Sequence, residues 1–153
     1  MEASEDSDQG RGLGDRPGLR IVDWNRDRRS QGVPGRAIAT LFSMVVGPED
    51  DPGAPRFVHV HMHPGSPPRL WHAHPGWTTT IVLSGSMDIE GETFTAGQMV
   101  VVAPHVSYGP LEPGPDGATF MEIFYGDAAT RTDWDEADPR VGEYRELGWI
   151  PPA

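Results

Sequence analysis

The stretch Trp71-His72-Ala73-His74-Pro75-Gly76-Trp77-Thr78-Thr79-Thr80 holds two histidines one residue apart. Alternate residues of a strand face the same way, so His72 and His74 can bring two imidazoles to one point. Such a pair can hold a divalent metal or move a proton. Two imidazoles alone are too few for tight metal binding, and the threonine hydroxyls that follow are poor ligands for zinc, iron or manganese. Tyr108 can donate a hydrogen bond, or ligate as a phenolate to an acidic metal, since its unperturbed pKa is about 10. Glu122 is a lone carboxylate within the apolar run Phe120-Met121-Glu122-Ile123-Phe124. It is either an inward group, catalytic or a third metal ligand, or an outward residue of the protein surface.

The flanking residues suggest how a ligand would be held. Arg69 can bind a carboxylate or serve as a solvated strand end. Trp71 and Trp77 bracket the histidine pair and can offer flat apolar surface to a planar or polyene-like ligand. Thr78 and Thr80 share a strand face and can hydrogen-bond a polar ligand without adding charge. A second set, His59, His61 and His63, alternates with Val58, Val60 and Met62. Period-2 alternation predicts a strand with its Val/Met face in the core and its imidazoles outside. The competing reading turns those imidazoles inward as spare metal ligands. His105, after Pro104, is read as a loop residue.

Composition narrows the chemistry. The chain has 153 residues, no cysteine and a formal charge of −11, and its twelve basic residues are all arginine. Thiolate nucleophiles, disulfides and lysine Schiff bases are therefore excluded. The negative charge argues against nucleic acid and anionic membrane surfaces as partners. No apolar run approaches the roughly 18 residues of a membrane span, and the acidic N-terminus is unlike a signal peptide. The expected location is cytoplasmic.

The elements that must position these groups are short. β-branched runs at 37–46, 57–62, 78–83, 87–89, 99–102 and 118–125 are separated by glycine and proline turns. This pattern predicts an all-β sandwich or barrel, and no 3.6-residue periodicity is sustained. Three regions are expected: an acidic disordered tail over 1–18, a barrel domain over 19–130, and a C-terminal strap over 131–153. The strap carries Trp134, Tyr144, Trp149 and Ile150, which can dock on the barrel or on a partner subunit.

Two segments resemble the cupin superfamily. Gly65, His72-Ala73-His74 and Val82-Leu83-Ser84-Gly85 are similar to its first motif, and Gly97 through Tyr108 to its second. The resemblance implies an antiparallel, jelly-roll-like β-barrel of about six to eight strands, usually a homodimer, with its pocket in one mouth. It also implies a metal site of two His and a Glu from the first motif and a third His from the second. Here the pair matches, but the Glu position falls on Thr78 and the last His position on Tyr108.

This loss of metal anchors with retention of proton-transfer groups favours a cofactor-independent cyclase or isomerase. Its substrate would be a largely apolar, polyketide-like small molecule. His72 or His74 would be the base, Tyr108 the acid or oxyanion donor, and Glu122 a further catalytic group. Arg69, Trp71, Trp77, Thr78 and Thr80 would bind substrate. The alternatives are a metal-dependent cupin, a dioxygenase or zinc enzyme holding Zn, Fe, Mn or Ni on His72 and His74 with a third ligand from Glu122, Tyr108 or one of His59, His61 and His63, and a cupin that binds a small molecule without converting it.

Overall fold

A computed structural model describes residues 23, 29–31, 39–45, 53–126, 131–146, 150 and 152. The expected acidic tail and Trp149 lie outside them. The strands are β1 (Arg29–Gln31), β2 (Ala39–Val45), β3 (Arg56–Met62), β4 (His72–Ala73), β5 (Thr78–Ile89), β6 (Glu92–Thr95), β7 (Met99–Val102), β8 (Leu111–Phe124) and β9 (Asp133–Trp134). One short helix, α1 (Val141–Glu146), follows. The main sheet has the order β1-β2-β3-β8-β5-β6, with β7 also on β5, and every pairing is antiparallel. β4 and β9 form a separate two-stranded ladder.

The long strands β5 and β8 bend the sheet into a barrel. Their register slips between Val82 and Ser84 and again between Gly85 and Met87. Gly85 and Gly117 meet there, both with positive φ, and a Cβ on either would collide with backbone. Glycine at these two positions is what lets the strands cross closely and change direction.

Alternation sets the core. Val58, Val60 and Met62 of β3 pack inside with Val82, Met87 and Phe120. Each large apolar side chain so buried contributes about 1.5 to 3 kcal/mol relative to exposure. His59, His61 and His63 occupy the opposite, half-buried face. His61 Nδ1 lies 2.8 Å from Thr119 Oγ1, and its ring meets that of His63 edge-on at 4.9 Å. The outward placement of this row follows from the apolar residues between them, which gain more from burial than neutral imidazoles would.

The C-terminal segment docks on its own chain. Leu70, Val141, Tyr144 and Ile150 form a second buried cluster with Trp134 against it. Tyr144 donates its hydroxyl to the Pro68 carbonyl at 2.7 Å, and Asp135 N–H donates to the Trp71 carbonyl at 3.0 Å. No helix among the described residues is long and apolar enough to cross a membrane.

Candidate functional site

His72 on β4 and His74 just after it are buried, 0% and 3% exposed, where β4 is held between Tyr108 and the returning β9. His72 N–H donates to the Tyr108 carbonyl at 3.2 Å and Tyr108 N–H donates back at 3.0 Å. That pair of backbone bonds fixes the Tyr108 ring 4.5 Å from the His72 ring, while the two imidazoles stand edge to face at 5.1 Å. Phe124 lies 4.9 Å from His74, and Trp134 lies 5.3 Å from His72.

Both imidazoles are fixed by the same device. His72 Nδ1 is 2.7 Å from the Leu70 carbonyl, and His74 Nδ1 is 2.9 Å from the Arg131 carbonyl. A carbonyl can only accept, so each Nδ1 carries the hydrogen and each Nε2 keeps a lone pair. Burial is the largest influence on both rings and holds each pKa below the ordinary 6.5, His72 well below it, so both are neutral bases. Burial also raises the Tyr108 phenol above its ordinary value, with the Glu122 charge adding to the effect. Tyr108 therefore stays protonated and acts as a donor.

β5 and β8 complete the wall. Thr78 and Thr80 are 1% and 2% exposed, and Thr80 stands opposite Glu122 in the ladder. Glu122 faces inward because it alternates with Met121 and Ile123, in phase with buried Phe120 and Phe124. Its outward reading is thereby corrected. Arg69 Nη1 donates to both Glu122 oxygens at 3.0 Å. Burial, the largest single influence, works against the Arg69 charge, and Glu122 and Tyr108 together more than offset it. The guanidinium also lies 5.9 Å from the Trp134 ring centre.

Five buried polar atoms here find no partner among the described residues: His72 Nε2, His74 Nε2, Thr78 Oγ1, Thr80 Oγ1 and the Tyr108 hydroxyl. A group of this kind costs about 1 to 3 kcal/mol if it stays unpaired. Their gathering in one interior marks a place made for polar company.

The expected tryptophans do not fill it. Trp71 is one position out of phase with the imidazoles, and Trp77 is 53% exposed. The rings that touch the pair are Tyr108, Phe124 and Trp134. Trp134 and the Arg131 carbonyl come from far along the chain. Trp134 was visible in the sequence only as a docking aromatic, and a backbone carbonyl carries no residue signal at all.

The donor set does not fit a metal of the kind the resemblance implies. Two imidazoles with free Nε2 atoms are suited to one, but Thr78 replaces the carboxylate, Tyr108 is held as a phenol, and both Glu122 oxygens are on Arg69. No group of three His, Cys, Asp or Glu among the described residues is placed to hold a metal ion.

No protein-family model and no curated protein sequence matches the chain. Solved structures do. A cupin-like protein from Thermotoga maritima is similar at a TM-score of 0.53 and 20% identity, over 76% of this chain and 92% of that one. A candidate acetylacetone dioxygenase from Methylibium petroleiphilum aligns at 0.57 and 16%, over 83% and 88%. Oxalate decarboxylase from Bacillus subtilis aligns at 0.56 and 15%, over 81% of this chain and 35% of its own.

Proposed function

From the premise that the chain has the cupin fold, we propose that it is a small-molecule enzyme working by proton transfer without a cofactor, a cyclase or isomerase. The observation that carries this reading is the convergence of two lone-pair imidazoles with a protonated phenol in one buried interior. His72 Nε2 takes a proton from carbon beside a substrate carbonyl. Tyr108 donates a hydrogen bond to the carbonyl oxygen as it becomes an enolate oxygen. The proton returns from the imidazolium to another carbon in an isomerisation, or to the new alkoxide once the enolate carbon has attacked a second carbonyl in a cyclisation. Protons balance and no oxidant is consumed. General acid–base assistance of this type supplies about 100- to 10,000-fold.

The wall is more polar than a largely apolar substrate requires, and Phe124 and Trp134 supply its flat apolar surfaces. The exposed outer residues Leu83, Met99 and Val101 support self-association as a homodimer, which light scattering after gel filtration would register.

The test is proton exchange. Enolisable ketones and 1,3-diketones are incubated in D2O with chelator-treated protein and followed by NMR. Deuterium uptake above the buffer rate, lost in His72→Ala and Tyr108→Phe, is the expected result. Uptake indifferent to both substitutions overturns the scheme. Near-stoichiometric zinc, iron, manganese or nickel in protein purified without chelator replaces it with the metal-dependent reading, which the carbonyl-anchored imidazole pair favours. Binding of a metabolite without conversion replaces it with a carrier or sensor.

A further inference from the structure

The two imidazoles restrict what can sit against them. A neutral histidine usually offers one donor and one acceptor, and its hydrogen can move between nitrogens to suit a ligand. Here neither ring has that freedom. The Leu70 and Arg131 carbonyls, at 2.7 and 2.9 Å, hold both hydrogens at Nδ1. The interior therefore presents two adjacent acceptors, His72 Nε2 and His74 Nε2, on rings 5.1 Å apart. Both are at least nine-tenths buried, and neither can donate. A carboxylate or phosphate placed against these two nitrogens has only acceptors to offer and would meet lone pair with lone pair. The other donors in this interior are the hydroxyls of Tyr108, Thr78 and Thr80, on separate segments from the pair, and Arg69, whose Nη1 is given to Glu122.

We propose that the ligand of this site carries two neighbouring hydroxyl groups, of the vicinal diol, enediol or catechol kind, which donate one to each of His72 Nε2 and His74 Nε2. This deepens the proton-transfer reading and rests on its bare imidazoles: an enediol gives His72 Nε2 its hydroxyl proton and gains one at carbon, which is the carbon deprotonation above run in reverse. Each hydroxyl fills an acceptor that otherwise has no partner, so capping one hydroxyl removes a bond and leaves a buried nitrogen unpaired. Discrimination of this kind is strong because the site, as well as the ligand, loses its partner. The fixed tautomers also define the direction of proton flow: the first proton to reach Nε2 comes from the ligand.

The experiment uses three probes of similar planar shape: catechol, its monomethyl ether guaiacol and its dimethyl ether veratrole. Binding to the full chain is measured by calorimetry in excess EDTA, and 15N NMR of labelled histidine follows the Nε2 resonances. The expected result is catechol binding at least tenfold tighter than guaiacol, veratrole weaker again, and catechol shifting the Nε2 signals of two histidines. His74→Phe should bring the catechol and guaiacol affinities together. Equal binding of all three probes, or binding of none, overturns the donor-pair assignment while leaving the exchange test to judge the proton-transfer reading. Catechol binding that appears only when Co(II) is added without EDTA overturns the bare-imidazole reading beneath both.

Discussion

His72 and His74 share their i, i+2 spacing with His59, His61 and His63, yet the two groups lie in opposite worlds. The pair is buried, turned by backbone carbonyls, and leaves both Nε2 atoms without partners among the described residues. The row is half-buried on the outer face of β3, with His61 bonded to Thr119. Spacing puts imidazoles on a common face in both cases. What separates them is the company of the intervening residues: Val58, Val60 and Met62 claim the core side of β3, whereas Ala73 makes no such claim and the inward side of β4 is left to histidine. Chemistry follows the face rather than the residue type.

The contrast is tested most severely by activity. His72→Ala and Tyr108→Phe should each lower proton exchange by about 100-fold or more, and His61→Ala should change it less than about twofold. An equal loss from His61→Ala would remove the distinction. Next comes the buried ion pair that backs the site. Arg69→Ala leaves Glu122, 1% exposed, without its partner and should cost about 3 to 5 kcal/mol in urea unfolding.

Acid should act on the buried pair as well. The folded pKa values of His72 and His74 lie below the ordinary 6.5, so the unfolded chain binds protons more readily. Stability is then fully present above about pH 6.5 and falls as the pH drops from there, by as much as about 1.4 kcal/mol per pH unit for each imidazole. Paired substitution of His72 and His74 by Gln should flatten that slope. The smallest effect is expected outside: Thr119→Ala removes one hydrogen bond and should cost about 1 kcal/mol.

Much of this was legible in the residues. The turn glycines and β-branched runs carry the barrel, and period-2 alternation carries both histidine groups to their faces. Glu122 was harder, because β8 passes through Pro113, Gly114 and Gly117 and a register slip before reaching it, so its phase cannot be counted from the strand's start. Trp71 and Trp77 drew attention by closeness in sequence, while Trp134, some 60 positions downstream, does the packing. Arg131 acts through its backbone carbonyl, which every residue possesses.

That last contact ties the chemistry to the order in which the molecule is completed. The main sheet closes with β8, but the hydrogen on His74 is assigned only when Arg131 arrives, 57 positions after it. Until β9 lies down on β4, His74 can keep its hydrogen on either nitrogen and water can reach it. A chain that has formed its sheet but has not yet docked its C-terminal segment thus has only His72 of the two imidazoles fixed by a carbonyl. The acceptor pair is therefore completed late, and discrimination of catechol from guaiacol, followed during refolding, should lag behind the far-ultraviolet signal of the sheet.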